Sequence, residues 1–316
     1  MSPAAAVTAR GLAHRYGDLV ALEDLDFDFG RGCLVGLVGA NGAGKSTLLQ
    51  LLAGRLTVQA GTLRAFGQPP GAATRDRISF TRQRPALDPE MTVRQTVRYW
   101  ASLIASSPAD GARVLRRLEL AEHLGRPVAA LSGGLRQRLH LALDLLRDAP
   151  LQLFDEPTAA LDRNGHRKLW NLLAERAQKG ATVVVASHDL EALEGRADQV
   201  MVLHRGKLKA HEDPRDLGRR IGCPTLAARL RAEIPAAAEI RHQLETIPGV
   251  AFADLARQRL VLALRAEADV GTVEGQLMSR LEQHRLEVAE VVRRPPDLLS
   301  AVLNLSQRAE SPQVTR

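Results

Sequence analysis

The 316-residue chain is 45% apolar and 25% charged, a composition that supports a large folded domain plus a smaller one and excludes a disordered chain. Its net charge of +7 comes mainly from dispersed arginines, and aromatic residues make up only 3%, which argues against base-stacking surfaces and nucleic-acid binding. Two cysteines without metal-ligand spacing exclude a disulfide framework and a structural zinc site, and no apolar run is long enough to span a membrane.

The first part of the chain has the pattern of an α/β fold. Residues 7–30 alternate apolar and polar residues around turn signals, which predicts short antiparallel strands. An uninterrupted apolar run at 33–40 predicts a strand buried on both faces, followed by a helix that begins near Lys45. Further buried strands are predicted at 151–157 and 181–189, with mainly helical patterns between. We therefore predict a mostly parallel sheet, together with an antiparallel β subdomain and a helical subdomain.

The pattern changes after about residue 212, and this predicts a second domain. Residues 236–305 show helix-like and strand-like segments in turn, including one strand-like stretch at 250–266, which predicts a small α+β domain. The predicted boundaries are 1–212 for the first domain, 213–235 for a linker, 236–305 for the accessory domain and 306–316 for a flexible tail. The charged residues of the accessory domain are balanced along helix faces and form no catalytic group. We therefore expect this domain to support the dimer, to regulate it or to act as a spacer.

A glycine-rich loop follows the first buried strand. Residues 39–47, GANGAGKST, fit the pattern GxxxxGK[ST] between a strand and a helix. The glycines allow backbone N–H groups to surround phosphate oxygens, where side chains would obstruct. Lys45 would lie between the β- and γ-phosphates, the Ser46 hydroxyl would bind Mg²⁺ and Thr47 would bond the α-phosphate. The flanking elements favour this interpretation over an ordinary glycine-rich turn.

An acidic pair ends the predicted strand at 151–157, LQLFDEP. Asp155 would hold Mg²⁺ through water, and Glu156 would polarise an attacking water. An isolated acidic pair carries little information. This pair gains significance because open α/β sheets bind ligands at the carboxyl ends of their parallel strands.

A second anion-binding segment lies at 131–146, LSGGLRQRLHLALDLL. Ser132, Gly133 and Gly134 precede a helical pattern, so backbone N–H groups and the positive end of a helix dipole face solvent. The loop at 39–47 is already expected to hold any nucleotide that the chain binds. The residues alone leave open what the second segment binds.

These motifs, in this order, resemble those of the ATP-binding cassette ATPases. Three further motifs accompany the phosphate loop, the LSGG signature and the acidic pair. They are a glutamine loop at 80–85, a D-loop, AALD, at 159–162 and a switch histidine in ASHD at 186–189. The resemblance covers about the first 210 residues and implies hydrolysis of ATP with Mg²⁺. It implies that Tyr16 stacks on adenine, that Gln83 reaches Mg²⁺ and the attacking water, and that His188 contacts the γ-phosphate.

The predicted site residues fall into three overlapping groups. The catalytic group is Glu156, His188 and Gln83, and the metal group is Ser46, Gln83 and Asp155. The nucleotide-binding group comprises Tyr16, Gly39, Asn41, Gly42, Ala43, Gly44, Lys45, Ser46, Thr47, Ser132, Gly133, Gly134 and Asp162.

The resemblance also implies partners. Two cassettes of this family pack head to tail, so that Ser132 and Gly134 of one close over the γ-phosphate at Lys45 of the other. We therefore expect a second copy or a homologous subunit, and separate transmembrane permease subunits that dock near residues 84–100. Leu135 stands where the family usually has glutamine; closure should survive, because the serine hydroxyl and the glycine backbone make the phosphate contacts.

The expected function is that of an ATPase subunit at the cytoplasmic face of the inner membrane, energising a transporter of the exporter type. An ATPase for copper-site maturation of nitrous-oxide reductase is one variant of this hypothesis. The alternative is a soluble cassette ATPase in iron–sulfur assembly, translation or DNA repair, but the chain has neither a long coiled-coil insertion nor a second cassette. The LSGG segment and the acidic pair argue against a P-loop kinase or GTPase. The cargo is not encoded in this chain's motifs.

Overall fold

The structure is a computed structural model that describes residues 5–81, 87–104, 108–158, 161–235, 237–265 and 267–308. It divides into two compact units, Met1–Glu212 and Asp213–Arg316. Among the described residues, no helix has the length and apolar content that crossing a membrane requires.

Nine strands and six α-helices are described in the first unit. In chain order they are β1 (Val7–Tyr16), β2 (Leu19–Phe29), β3 (Leu34–Val38), α1 (Lys45–Leu52), β4 (Ala60–Ala65), β5 (Ile78–Thr81), α2 (Val93–Leu103), α3 (Pro108–Arg117), α4 (Gly133–Leu146), β6 (Leu151–Asp155), α5 (Arg163–Gln178), β7 (Thr182–Ala186), α6 (Leu190–Arg196), β8 (Gln199–His204) and β9 (Lys207–Glu212).

The main sheet of this unit has the strand order β5-β6-β7-β3-β8-β9. Its strands are parallel except for β9, which pairs with β8 in the antiparallel direction. Every residue of β3 and β7 is buried, as the apolar runs without alternation predict for strands covered on both faces. Because β6, β7 and β3 are neighbours and run in the same direction, the segments that follow Asp155, Ala186 and Val38 leave the sheet at one edge.

A three-stranded antiparallel sheet, in the order β2-β1-β4, shares a hydrophobic core with the main sheet. Leu12 and Phe29 from this sheet are fully buried in that core with Leu48 of α1 and Leu153 of β6. The core therefore fixes the sheet that carries Tyr16 relative to the helix that follows the phosphate loop.

Helices α2, α3 and α4 form the helical part of the unit. Thr92 starts α2 with a capping box, in which its hydroxyl accepts from the N–H of Gln95 and the Gln95 side chain accepts from the N–H of Thr92. Ser132 caps α4, and Leu139 is buried on the inward face of that helix. The α/β cassette fold expected from the sequence is confirmed.

The second unit contains α7 (Pro214–Ile221), β10 (Thr225–Leu230), α8 (Ala237–Glu245), β11 (Val250–Ala256), β12 (Arg259–Leu264), α9 (Val270–Gln283), β13 (Val288–Arg294) and α10 (Leu298–Arg308). Its four strands form an antiparallel sheet in the order β11-β12-β10-β13. From β10 to β13 the order is the β-α-β-β-α-β arrangement of ferredoxin-like folds. Its own core includes Leu226, Leu244, Leu262 and Leu277.

Two expectations about this part of the chain were wrong. The stretch 213–235, predicted as a linker, forms α7 and the strand β10, which pairs with both β12 and β13. The stretch 250–266, predicted as one strand, contains the β11–β12 hairpin. That hairpin turns at Arg257, whose φ of +47° is unusual for an arginine, so neither glycine nor asparagine marked the turn in the sequence.

Chain truncation tests where the second unit begins. A chain ending at Glu212 is expected to be monodisperse and to unfold cooperatively. A chain ending at Pro235 retains β10 without β12 and β13, and it should aggregate because an unpaired strand with apolar side chains is exposed. Size-exclusion chromatography and thermal unfolding compare the two; equal solubility and equal melting temperatures would contradict the assignment of β10 to the second unit.

Candidate nucleotide site

The loop between β3 and α1 has a backbone that only glycine accommodates. At Gly39, a Cβ atom would lie 2.3 Å from the carbonyl oxygen of Leu203. At Gly44, φ is +104° and a Cβ atom would lie 2.6 Å from the carbonyl oxygen of Ala21. The backbone of the loop therefore packs directly against neighbouring strands and presents its own N–H groups without intervening side chains.

Lys45 is held inside this loop. Its Nζ donates to the carbonyl oxygens of Gly39 at 2.6 Å and Ala40 at 3.1 Å, and only 7% of the residue is exposed. Burial lowers the pKa of the Lys45 ammonium, while the nearby carboxylates Glu156 and Asp155 oppose this shift. No side chain caps the N-terminus of α1, so its first N–H groups and the lysine face the same region.

A cavity of about 250 Å³ brings together residues from distant parts of the sequence. Tyr16, at the end of β1, lies at its rim with 46% of its surface exposed. The phosphate loop forms one side and the acidic pair another. The remaining lining residues are Leu19, Val20, Ala21, Asn41, Gly42, Ala43, Gly44, Lys45, Ser46, Thr47, Asp155 and Glu156.

Glu156 is a mostly buried carboxylate in an unusual backbone conformation. Its φ is +48°, and its N–H donates to the carbonyl oxygen of Ala186 on the adjacent strand at 3.0 Å. Burial raises the pKa of Glu156, although the positive charges of His188 and Lys45 lower it and Asp155 raises it further. A side chain with a raised pKa in a cleft is a candidate for proton transfer.

His188 lies next to this carboxylate. Its Nε2 is 3.1 Å from Oε1 of Glu156, but the geometry is not that of a hydrogen bond, and Oε1 has no hydrogen-bond partner among the described residues. Oε1 is therefore an acceptor with capacity left, positioned between the strand edge and the histidine.

The loop that carries His188 is fixed by its neighbour Asp189. Oδ2 of Asp189 lies 2.9 Å from His166 Nε2 and accepts from Trp170 Nε1 at 3.0 Å, and both partners are on α5. Oδ1 accepts from the N–H of Ala192 and so caps α6. The sequence analysis missed these contacts, because only the ASHD motif marked this loop and nothing in the spacing connects it to α5.

The LSGG segment does not line the 250 Å³ cavity of its own chain. The Ser132 hydroxyl accepts from the N–H of Leu135 at 3.3 Å and caps α4, while Ser132 and Gly133 are exposed. Leu135 takes part in this cap through its backbone alone, so the loss of the usual glutamine does not alter the cap. The predicted site residues thus form two separate groups within one chain.

Asp162 belongs to neither group directly. It caps α5 by accepting from the N–H of Gly165 at 2.7 Å, and it also binds Arg138 of α4 at 2.9 Å. The hydrogen bond from Gly165 and the charge of Arg138 lower the pKa of Asp162. Gln83 and the first two residues of the D-loop, 159 and 160, lie outside the described residues.

The donor set is compatible with Mg²⁺ bound together with a nucleotide. Ser46 and Asp155 line the same cavity and supply oxygen atoms, which Mg²⁺ prefers. Among the described residues, no group of three or more His, Cys, Asp or Glu side chains could hold a metal ion. The remaining ligands would then be waters and phosphate oxygens, as is usual for this ion.

A larger cavity of about 810 Å³ lies between α2, α4 and the region around β5. Trp100 of α2 lines it together with Ile104, the residue that follows α2, as do Phe80 from β5 and His140 from α4. Burial lowers the pKa of His140 to about 4, so the His140 side chain is neutral at physiological pH. The sequence analysis did not predict this groove.

Both the sequence and the structure of this chain match known proteins of one kind. A family model described as ABC transporter matches residues 22–159. The Nod factor export ATP-binding protein I of Ralstonia nicotianae is 30% identical over 96% of this chain and 94% of its own length. The hemin import ATP-binding protein HmuV of Streptomyces coelicolor is 37% identical over 66% of this chain and 78% of its own length. A solved ATP-binding subunit of an ABC transporter superposes with a TM-score of 0.61 at 29% identity, covering 68% of this chain and 92% of that one.

The raised pKa of Glu156 predicts a pH-dependent gain in stability on substitution. A glutamine avoids the burial of a charge, so Glu156→Gln should raise the melting temperature of the first unit at pH 8 by roughly 2–4 °C, the effect of about 1 kcal/mol in a domain of this size. Because the folded-state pKa lies above the unfolded value, acidification protonates the wild-type side chain and the difference should shrink as the pH falls.

Calorimetry without nucleotide at pH 8 and pH 5 measures this difference. Glu282→Gln, at an exposed position of α9, is the control and should leave the melting temperature of the first unit unchanged at both values. A difference that is absent at pH 8, or that grows on acidification, would refute the burial penalty at Glu156.

Proposed function

The chain belongs to the ATP-binding subunits of ABC transporters, a family of ATP hydrolases, and from that premise we propose that it drives solute export through separate membrane subunits. Two cassettes would pack head to tail and close when ATP binds. The observation that carries the proposal is the meeting of the phosphate loop, Asp155 and Glu156 in one cavity, while the LSGG segment of the same chain lies elsewhere.

The phosphate loop and Lys45 would bind the triphosphate. Loop N–H groups and the N-terminus of α1 meet its negative charge, and the buried ammonium supplies a point charge that desolvation strengthens. Tyr16, half exposed at the rim, is placed to stack on the adenine ring. Mg²⁺, when bound, neutralises phosphate charge, and the Ser46 hydroxyl and the Asp155 carboxylate would hold it.

Glu156 would act as the general base for water. Its raised pKa brings proton affinity closer to neutral pH, and its buried Oε1 has no hydrogen-bond partner among the described residues, which leaves an acceptor for a water that enters the site. His188, 3.1 Å from that oxygen, would contact the γ-phosphate, with Asp189 and α5 holding its loop in place. Gln83 keeps its proposed role at the metal and the water.

The LSGG segment would complete the site of a second cassette. Ser132 and Gly133 are exposed at the start of the 14-residue helix α4, whose positive end suits the γ-phosphate of a partner. Twofold symmetry then produces two composite sites, each with a phosphate loop from one chain and a signature from the other. Hydrolysis and loss of phosphate remove these contacts and allow the pair to open.

The 810 Å³ groove is the proposed docking site for the permease. It opens beside α2, where the large apolar residues Tyr99 and Leu103 are exposed. A cytoplasmic helix of a membrane subunit could place its apolar face against Trp100 and Ile104. The proposed location of the chain, peripheral at the cytoplasmic face of the membrane, follows from such a complex.

Export is proposed over import because of how far the similarity extends. The first unit makes up about two thirds of the chain, so a match over 96% of it includes most of the second unit as well. The relative with that extent has export in its name, whereas the hemin import relative leaves a third of this chain unmatched. No motif in the sequence, and no contact within the described ranges, favours iron–sulfur assembly, DNA repair or copper-site maturation.

ATP-dependent dimerisation tests the composite site. Glu156→Gln should bind Mg-ATP, fail to hydrolyse it and accumulate as a dimer, because the nucleotide holds the two chains together. Multi-angle light scattering measures the mass with ATP and with ADP. In the same assay Glu156→Gln/Lys45→Ala should remain monomeric, since losing charged hydrogen bonds weakens nucleotide affinity roughly 10- to 100-fold. Normal turnover by Glu156→Gln would contradict its role as base.

A substitution beside the groove tests permease docking. Leu103→Glu places a charge on the exposed end of α2, and it should abolish stimulation of ATP hydrolysis by reconstituted permease while leaving the basal rate of the isolated chain intact. Arg94→Glu, nine residues earlier and thus on the opposite face of α2, is the control. Equal permease stimulation of wild type and Leu103→Glu would exclude this face as the docking site.

A further inference from the structure

A group of four charged side chains joins α4 to α5. Arg138 of α4 donates from Nη1 to Oε2 of Glu119 at 2.5 Å and from Nη2 to Oδ1 of Asp162 at 2.9 Å. Glu119 also pairs through Oε1 with Lys168 of α5. We call Glu119, Arg138, Asp162 and Lys168 the α4–α5 charge cluster.

Arg138 is the centre of this cluster. Only 12% of the Arg138 side chain is exposed, against 39% of Glu119 and 64% of Asp162, so packing holds the guanidinium in place while water still screens its acidic partners. The guanidinium binds acids on two different segments at once, a geometry that a lysine ammonium on its flexible stem does not reproduce. The charges of Lys168 and Arg138 lower the pKa of Glu119, so the cluster holds two negative and two positive groups at neutral pH.

Gly165 makes room for this arrangement. A Cβ atom at this position of α5 would lie 2.9 Å from Oδ1 of Asp162 and 3.2 Å from Nη2 of Arg138. The N–H of Gly165 donates to the same oxygen of Asp162 that Arg138 binds. The start of α5 and the side chain from α4 therefore approach each other closely at a position where any larger residue interferes.

The cluster lies between two segments that the proposed dimer uses. Arg138 is six residues after Ser132, about 9 Å along α4 from the exposed LSGG end. Asp162 ends the D-loop and is six residues after Glu156. By binding Asp162, Arg138 thus connects two parts of the proposed site. One is α4, which would reach the partner's nucleotide, and the other is the segment after Glu156, the proposed base of this chain.

We propose that Arg138 is a positioning residue that fixes the LSGG end of α4 relative to Asp162 and α5, so that the signature and Asp162 meet the partner cassette as one rigid surface. The inference rests on the head-to-tail dimer proposed above. It assigns the cluster to ATP-driven closure, and it leaves nucleotide binding by a single chain to the phosphate loop.

Another ion pair provides a matched control. Arg117 of α3 pairs with Glu175 of α5, so it also joins the helical part to α5, but neither residue contacts Asp162. If the α4–α5 charge cluster only stabilised the fold, removing Arg117 and removing Arg138 would have similar consequences for closure.

The test uses the full-length chain with Glu156→Gln as the parent. For each variant, light scattering across an ATP titration gives the ATP concentration at half-maximal dimer, and a fluorescent ATP analogue at dilute protein gives single-chain affinity. Arg138→Ala should require about tenfold more ATP for half-maximal dimer, since a charge-assisted hydrogen bond is lost, while single-chain affinity stays within about twofold. Arg138→Lys should restore the dimer only in part, and Arg117→Ala should match the parent.

Gly165→Ala separates positioning from stability. Alanine has the higher helix propensity, so the melting temperature should not fall, yet the added methyl group pushes Arg138 and Asp162 apart and dimerisation should weaken as it does in Arg138→Ala. This variant retains every charge of the cluster.

The outcomes distinguish the two proposals. A parent that stays monomeric with ATP overturns the proposed dimer and the positioning role with it. A parent that dimerises while Arg138→Ala and Gly165→Ala dimerise equally well overturns the positioning role alone. An equal loss in Arg117→Ala, or a parallel loss of single-chain affinity, also overturns it.

Discussion

The parallel pairing of β6, β7 and β3 is the constraint on which the site depends. These three strands are buried on both faces or nearly so, and their common direction brings the acidic pair, the switch-histidine loop and the phosphate loop to one edge of the sheet. Each loop is short and local, and none could reach the others without this strand order. A change in strand register would move Glu156 away from Lys45 before it affected either residue's own chemistry.

At this edge of the sheet, buried charged groups lower the stability of the fold but are suited to bind a charged ligand. Lys45 is buried among carbonyl groups, and Glu156 is buried with an oxygen that has no partner in the described part of the chain. Both have pKa values shifted against their charged forms by loss of water. Such groups destabilise a folded chain unless a ligand meets them. A triphosphate supplies negative charge to Lys45, and a water molecule supplies a hydrogen bond to Glu156. Both interactions are stronger in a cavity from which bulk water is excluded.

Much of the site was predictable because its signals are local in sequence. The loop at 39–47 and the acidic pair each occupy a few consecutive residues at the end of an apolar run, so the residues and the predicted strand before them were enough to single them out. The contacts that hold these segments were not predictable. Asp189 meets His166 and Trp170, and Arg138 meets Asp162, only after the sheet and helices have packed. In the second unit, β10 was missed because a short strand between charged and proline-containing segments resembles a linker.

In the proposed dimer, the signature of one chain lies over the phosphate loop of the other. Site-directed cross-linking measures the proximity of these two segments directly. Gly133→Cys and Asn41→Cys are both at exposed positions; each is placed in a separate chain of different length, with Cys33 and Cys223 replaced by serine and Glu156→Gln present. A short thiol cross-linker is added with Mg-ATP or with ADP. A covalent product that contains one long and one short chain is expected, and it should form only with ATP. A product that forms equally with ADP, or no mixed product at all, would contradict it.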